Sequence, residues 1–249
     1  MQKIYLLLLS FFLSVQLNAQ DSPRDSLTTQ NKINLKSLAA PAALITYGVV
    51  GLNNKPLQSF NEKVNKEVDE HILKKTSIDD YMQYSPMLTV YGLNSIGVRG
   101  KNNLRHRTRN LALSYIIMGI TVTSLKRSTK ILRPDGKSSN SFPSGHTATA
   151  FMGAEYLWQE YKDVSVWYGI AGYILAAGTG LGRIYNDRHW VTDVAAGAGI
   201  GILSTKVAYW IAPHFRKNQE KKTPAKAQQT LIYPFYGGDC LGITLSRSL

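Results

Sequence analysis

The sequence predicts an all-α fold, a bundle of helices that ends in a short C-terminal tail. Of its 249 residues, 44% are hydrophobic, which is enough to bury a sizeable core and excludes a chain that is disordered throughout. Uncharged stretches rich in Ala, Gly, Leu, Ile, Val and Tyr recur between charged segments. They show few strand-like alternations, so each is predicted to be helical. These stretches cover residues 37–54, 81–98, 110–125, 138–154, 164–182 and 194–215.

The first residues, 1–19, have the composition of a secretory signal peptide. Lys3 supplies a short positive region, residues 4–13 form an apolar core, and a polar run leads to a cleavage point after Ala19. A short membrane anchor is the alternative, but the apolar core is well below the ~20 residues that a span needs. Residues 20–36 are polar and are predicted to be a flexible lead-in.

Residues 37–215 are predicted to form the helical domain. Within it, residues 55–80 predict an amphipathic surface helix, because apolar side chains recur every four residues from Phe60 to Ile72. Residues 216–249 form a basic linker and tail. The weak alternation around its Gly-Gly-Asp turn allows a short β-hairpin, and disorder fits that stretch equally well.

The helical stretches are close to the length of a membrane span, and small residues in 176–182 and 195–203 predict close helix–helix contacts. Leaving out the weak stretch 37–54 gives five spans. That topology places the basic segments 99–109 and 214–226 in the cytoplasm, in agreement with the positive-inside bias. A periplasmic bundle that rests on the membrane is the alternative. The pattern favours a membrane-embedded bundle.

The net charge of +13 comes from 29 basic and 16 acidic residues and is concentrated in segments 99–109, 126–137 and 214–226. None of them is a long basic run of the kind that binds nucleic acid, so no nucleic-acid partner is expected. The single cysteine, Cys240, excludes an internal disulfide framework and any multi-cysteine metal site.

Three clusters of polar residues carry the chemistry, and the first lies in segment 126–137. Lys126 and Arg133 are nearly two helical turns apart, so they are predicted to project from one helix face, with Pro134 ending the helix. A point charge beside a bidentate guanidinium suits a phosphate dianion. A solvated basic helix end is the alternative for this cluster taken alone.

The second and third clusters contribute imidazoles. Ser144 is placed to cap a helix, so the backbone N–H groups of Gly145 and His146 would lie at its positive end, where anions bind. His189 and Asp193 are four residues apart, as on one helix face. The carboxylate would therefore hold one imidazole nitrogen and leave the other available as a nucleophile or ligand.

The third cluster also contains Arg183, and this decides between a metal and a phosphate. Two histidines and a carboxylate could hold a metal ion. Three cations in the same set, Lys126, Arg133 and Arg183, would repel a metal and attract a phosphate. The sequence therefore predicts an anion site with no metal and no other cofactor.

Together the clusters resemble the signature of the type-2 phosphatidic acid phosphatase superfamily: K-x6-R-P, then P-S-G-H, then S-R-x5-H-x3-D. The resemblance covers about residues 110–205. The family shares its site with bacterial non-specific acid phosphatases and vanadium haloperoxidases. This sequence departs from the signature at Gly182, where the family usually has Ser before the arginine, so one hydroxyl donor is missing.

The resemblance implies a metal-independent phosphatase with a helical bundle. His189 would attack phosphorus and form a phosphohistidine, and Asp193 would orient its ring. His146 would protonate the leaving alkoxide and then activate the water that hydrolyses the intermediate. The residues that would clamp the phosphoryl oxygens are Lys126, Arg133, Ser144, Gly145 and Arg183.

Export and a membrane-proximal bundle indicate a phosphorylated membrane lipid as the partner, with the site on the periplasmic side of the inner membrane. Lipid A is the first candidate, because the signal resembles those of exported bacterial proteins that include lipid A phosphatases. Phosphatidate, phosphatidylglycerophosphate and undecaprenyl pyrophosphate are alternatives, as is a periplasmic acid phosphatase for small monoesters. Outside the enzymes, the alternative is a membrane protein that only binds anions. The sequence gives no oligomeric state.

Overall fold

The computed structural model describes residues 35–71, 75–220, 230–237 and 240–247, and side chains only up to residue 213. The predicted signal peptide and nearly all of the predicted lead-in lie outside the described residues. The chain divides into two units, residues 1–210 and 211–249.

The described residues form eight α-helices and two β-strands, after a single 3₁₀ turn at Leu35–Leu38. The all-α prediction is confirmed for the unit up to residue 210. The elements in chain order are α1 (Ala39–Gly51), α2 (Lys55–His71), α3 (Ile78–Met82), α4 (Ser85–Ser95), α5 (Leu104–Thr129), α6 (Gly145–Tyr161), α7 (Val166–Tyr185), α8 (Val191–Glu220), β1 (Thr230–Gly237) and β2 (Cys240–Arg247).

The C-terminal tail contains an antiparallel strand pair. β1 pairs with β2 in a register that sets Thr230 opposite Arg247 and Gly237 opposite Cys240. The sequence allowed either a β-hairpin or disorder for this stretch, and the hairpin is confirmed.

Helix α6 is the buried helix of the bundle, and α4, α5 and α7 pack against it. Its first ten residues carry no charge, and Ala148, Met152 and Tyr156 are fully buried. Its two buried carboxylates are neutralised, since Glu155 Oε1 lies 2.9 Å from Lys206 Nζ and Glu160 Oε2 lies 3.4 Å from Arg107 Nε. Because both carboxylates are paired with cations, the helix can lie in the interior without an unpaired buried charge.

Close approach between helices depends on the small residues of α8, as predicted. A Cβ atom at Gly201 would lie 2.3 Å from the carbonyl oxygen of Ala148, and one at Gly197 would lie 2.5 Å from that of Ser144. Both distances are shorter than van der Waals contact, so only glycine lets the α8 backbone lie against α6. This contact fixes the start of α6 beside the first turns of α8.

Amphipathic helix α2 confirms the helix predicted within 55–80, but its buried residue is polar. Asn61 is buried, whereas Phe60 is exposed. The Asn61 side chain donates to Thr192 Oγ1 at 2.9 Å, and Asn65 donates to Asp187 Oδ1 at 2.8 Å. Side-chain amides therefore attach helix α2 to the first turn of α8 and to the segment that joins α7 to α8.

The prediction of five spans fails at the stretch 81–98. That stretch is broken between α3 and α4, and α4 has only 11 residues. At a rise of 1.5 Å per residue it is ~16 Å long, about half of the ~30 Å hydrocarbon layer. In the described part of the chain, Val191–Pro213 is the one helical segment long and apolar enough to cross a membrane. The pair Leu35–Gly51 and Lys55–His71, bent by 92°, passes the same test if counted as one span.

Candidate active site

The candidate site lies where α5 and α7 end and α6 and α8 begin. Helix α5 ends at Thr129 because Lys130 adopts a left-handed conformation (φ 50°). The Lys130 N–H still donates to the carbonyl oxygen of Lys126. The prediction that Lys126 and Arg133 share one helix face is therefore wrong, since Arg133 lies beyond the helix in the following loop.

That loop folds back toward the helix through its own backbone hydrogen bonds. The Arg133 N–H donates to Ser138 O at 3.0 Å, and the Ser141 N–H donates to Ile131 O at 2.9 Å. The Lys126 ammonium donates to the carbonyl oxygens of Asn140 and Ser141. The loop therefore brings the two cations of the first cluster together, which the helix was predicted to do.

Ser144 caps α6, as predicted. Its Oγ accepts from the Thr147 N–H at 3.4 Å and lies 2.8 Å from Thr147 Oγ1. The Ser144 hydroxyl is fully buried and is engaged within the cap. Gly145 follows at the first helical position, and a Cβ there would lie 4.0 Å from Lys126 Cε. The helix N-terminus, a favourable place for an anion, therefore faces the Lys126 side chain.

His189 and Asp193 form the centre of the site, but they do not share a helix. Helix α8 begins at Val191, so His189 lies in the loop before it and Asp193 in its first turn. His189 Nδ1 is 3.7 Å from Asp193 Oδ2, longer than a hydrogen bond. The Ser141 hydroxyl lies between them, 3.4 Å from Nδ1 and 2.5 Å from Oδ2. The Trp190 N–H also donates to Oδ2 at 3.0 Å.

Burial keeps the His189 ring neutral. Both His189 and Asp193 are almost wholly buried. Burial lowers the pKa of His189 to about 4, against the opposing effect of Asp193, and the charges of Lys126 and Arg183 lower it further. A neutral imidazole whose Nδ1 faces Asp193 and Ser141 has Nε2 as its nucleophilic nitrogen.

The three predicted cations converge on this ring. Burial, followed by the charge of Arg133, lowers the pKa of Lys126 to about 8, and Arg183 also lowers it. Burial and Arg183 likewise lower the pKa of Arg133. Arg133 Nε and Arg183 Nε are buried, and neither has a hydrogen-bond partner in the described part of the chain. Buried cations with unsatisfied donors are suited to an anion with several oxygen acceptors.

Two carboxylates that sequence reasoning missed complete the site. Arg183 Nη1 lies 2.6 Å from Asp79 Oδ2 and 2.9 Å from Asp80 Oδ1. His146 Nε2 lies 3.0 Å from the same Asp80 oxygen. Both acids belong to the short helix α3, about a hundred residues earlier in the chain. In the sequence they end a stretch with a surface pattern, and nothing in their spacing relates them to the three clusters.

The structure thus brings all the predicted site residues into one region, with Ser141, Asp79 and Asp80 added. Ser141 follows two other serines and an asparagine and carries no distinguishing signal in the sequence. Over the described residues there is no group of three or more His, Cys, Asp or Glu side chains that could hold a metal ion.

Comparison with known proteins identifies relatives of this chain. The sequence model of the PAP2 superfamily matches residues 107–217, which confirms the resemblance in the motifs. The chain is 34% identical over 223 residues to a lipid A 1-phosphatase of Porphyromonas gingivalis, covering 84% of this chain and 50% of that protein. It is 38% identical over 74 residues to the bacitracin transport permease protein BcrC of Bacillus licheniformis, covering 30% of this chain and 34% of that protein. The chain therefore spans half or less of these relatives.

Two crystal structures match about three quarters of this chain. One is the first transmembrane PAP2 type phosphatidylglycerolphosphate phosphatase from Bacillus subtilis, with a TM-score of 0.49, 21% identity, and coverage of 75% of this chain and 99% of that one. The other is Aquifex aeolicus LpxE, with a TM-score of 0.41, 19% identity, and coverage of 74% and 99%.

The glycine that departs from the family pattern gives a first prediction. A Cβ at Gly182 would lie 2.9 Å from Asp79 Cβ and 3.4 Å from Asp79 Cγ, so Asp79 takes the space that a serine side chain would need. Gly182→Ser should therefore displace Asp79 from Arg183 and lower the free energy of unfolding by about 1–3 kcal/mol. Thermal unfolding of the purified protein in detergent measures this.

Gly119→Ser is the matched control, because a Cβ at Gly119 in α5 meets no atom within 4 Å. It should leave the melting temperature unchanged or raise it slightly, since serine is a better helix former than glycine. A Gly182→Ser protein as stable as the control would contradict the packing described for Asp79.

Proposed function

Because residues 107–217 of this chain form a PAP2 superfamily domain, we propose that the protein is a phosphatase that hydrolyses the phosphate ester of a membrane lipid. One observation carries the proposal: a buried imidazole, His189, lies among three cations. Two of these cations have buried donors with no partner among the described residues, and burial lowers the pKa of His189 to about 4. This set can bind a phosphoryl group and attack it. Phosphoryl transfer requires little more of a protein than positioning and charge stabilisation.

The chemistry follows from the orientation of the ring. His189 Nδ1 faces Asp193 and Ser141, so Nε2 attacks phosphorus, forming the P–N bond as the ester P–O bond breaks. Asp193 stabilises the positive charge that develops on the ring. His146 donates a proton to the leaving alkoxide oxygen and then takes one from the water that hydrolyses the phosphohistidine. The products are the lipid alcohol and inorganic phosphate.

The phosphoryl oxygens are held by charges supplied by the protein. The Arg133 and Arg183 guanidinium groups and the Lys126 ammonium neutralise the negative charge as it spreads over the oxygens in the transition state. The Gly145 N–H at the start of α6 adds a donor along the helix dipole. Ser144 supports this donor through the cap, and its hydroxyl remains a proposed contact to the phosphate.

An exposed apolar face on α7 supports a lipid as the substrate. Trp167 is 72% exposed, Ile174 67% and Leu181 66%, and their spacing of seven places them on one side of the helix. Helix α7 has 20 residues, so it is ~30 Å long. Arg183 follows two residues after Leu181, so the apolar face ends at the site. A lipid that lay along this face would therefore have its headgroup at the site.

Lipid A is the substrate we propose. The 34% identical relative from Porphyromonas gingivalis is a lipid A 1-phosphatase, and the alignment includes 84% of this chain. The 1-phosphate is therefore the first position to test. Phosphatidylglycerophosphate, phosphatidate and undecaprenyl pyrophosphate offer the same phosphate chemistry and are the alternatives within the proposal.

The location we propose is the inner membrane, with the site facing the periplasm. The signal peptide predicted for residues 1–19 would export the chain, and the apolar segment Val191–Pro213 is long enough to cross the bilayer. A soluble periplasmic phosphatase is the runner-up. It is disfavoured by the exposed apolar face of α7, which would be costly in water.

Replacement of the nucleophile is the direct test of the chemistry. His189→Ala should reduce phosphate release from p-nitrophenyl phosphate by at least about a thousandfold, as losses of a catalytic nucleophile do. Melting temperature and circular dichroism should show that the helices are retained. Substantial residual turnover in a folded His189→Ala protein would contradict the assignment of the nucleophile.

His71→Ala is the matched control, since His71 lies on α2 with its side chain largely exposed and interacts there with Glu67 of the same helix. It should leave phosphate release unchanged. Vanadate should inhibit the wild-type protein, because it copies pentacoordinate phosphorus, and EDTA should not, because protein cations supply the charge. Loss of activity in EDTA that added metal restores would count against the mechanism.

The substrate is tested by mass spectrometry of lipids incubated with the purified full chain. Lipid A should lose the mass of one phosphate, with the 1-phosphate removed first. Phosphatidate, phosphatidylglycerophosphate and undecaprenyl pyrophosphate serve as parallel substrates under the same conditions. Lipid A of unchanged mass, beside complete hydrolysis of another lipid, would replace lipid A by that lipid.

A further inference from the structure

One carboxylate oxygen in α3 bridges two groups of the site. Asp80 Oδ1 lies 2.9 Å from Arg183 Nη1 and 3.0 Å from His146 Nε2. These groups have different tasks in the proposed reaction, one holding the phosphoryl group and the other protonating the leaving oxygen. An oxygen that contacts both therefore occupies a position that an oxygen of the bound phosphate ester would take.

The neighbouring acid, Asp79, is held differently. It is 2% exposed, and its two oxygens are shared between Arg183, at 2.6 Å, and the Asn186 amide, at 2.9 Å. The absence of a side chain at Gly182 leaves room for it. Asp79 is thus a fixed partner that neutralises and orients the buried guanidinium.

Asp80 is free to move by comparison. Its side chain is 49% exposed, and rotation about its own bonds would carry the carboxylate into solvent. It belongs to a helix of five residues whose Ile78 and Tyr81 are exposed. Its contacts with Arg183 and His146 can be lost without disturbing a packed core.

We propose that Asp80 is a counter-anion that occupies the phosphate position in the empty site and is displaced by the substrate's phosphate. A phosphate dianion and the Asp80 carboxylate cannot share Arg183 without strong repulsion between like charges. Binding therefore exchanges one anion for another, which frees His146 for the leaving oxygen. After hydrolysis, the return of Asp80 weakens the hold on inorganic phosphate and promotes its release.

The inference rests on the proposed function for the identity of the anion, but its test does not need turnover. Isothermal titration calorimetry with inorganic phosphate and with vanadate, on the full chain in detergent, measures the dissociation constants directly. Asp80→Asn should bind both anions on the order of tenfold more tightly, because no carboxylate competes for Arg183. Asp80→Ser, which also removes the carboxylate, should likewise bind both anions more tightly than the wild type.

Asp163→Asn is the matched control for net charge. Asp163 is exposed after the far end of α6, ~25 Å from the start of the helix at 1.5 Å per residue, so its loss should leave both constants unchanged. Asp79→Asn should weaken anion binding, because Arg183 loses its fixed partner. The Asp79 and Asp80 variants should therefore change the affinity for anions in opposite directions. This difference distinguishes a carboxylate that positions Arg183 from one that the substrate displaces.

Unchanged or weaker binding by the Asp80 variants would overturn the inference, as would equal tightening in Asp163→Asn. If the wild type hydrolyses lipid phosphates while Asp80→Asn binds no more tightly, only the inference fails. If Asp80→Asn binds more tightly while no phosphate ester is hydrolysed by the wild type, only the proposed function fails.

Discussion

The buried guanidinium of Arg183 is the charge on which the rest of the site depends. A cation in the protein interior must be paired, or its desolvation destabilises the fold. Asp79 supplies that pairing at 2.6 Å, and it can do so only because Gly182 leaves space for α3 to pack on α7. The position of α3 and the orientation of the Arg183 guanidinium are therefore consequences of one interaction, and the proposed affinity for phosphate depends on both.

A second constraint connects the cations with the nucleophile. Burial strengthens the attraction of Lys126 and Arg183 for a phosphate. Burial also lowers the pKa of His189, and the charges of the same two cations lower it further, so the ring stays neutral. Asp193 opposes this effect, and in the proposed attack it stabilises the positive charge that develops on the ring. One buried cluster thus provides both a strong anion site and an unprotonated nucleophile at neutral pH.

The sequence predicted the helical bundle and every member of the three clusters, because their chemistry is carried by residue type and short spacing. Prediction from the sequence failed where contacts between distant parts of the chain determine how the site residues are arranged. Lys126 and Arg133 meet through a loop rather than along a helix, because Lys130 ends α5 early. Asp79 and Asp80 lie about a hundred residues from Arg183, and no local pattern encodes a contact of that range. The broken stretch 81–98 likewise resembled one helix only by composition.

Trapping the phosphorylated intermediate distinguishes a His189 nucleophile from any other. Wild-type protein mixed with a labelled phosphate ester and stopped within milliseconds in alkali should carry one phosphate per chain. That phosphate should be stable in alkali and labile in acid, and peptide mass spectrometry should locate it on His189. A label on another residue, or no label under conditions of full turnover, would contradict the account of a neutral His189 attacking a phosphate held by Arg183.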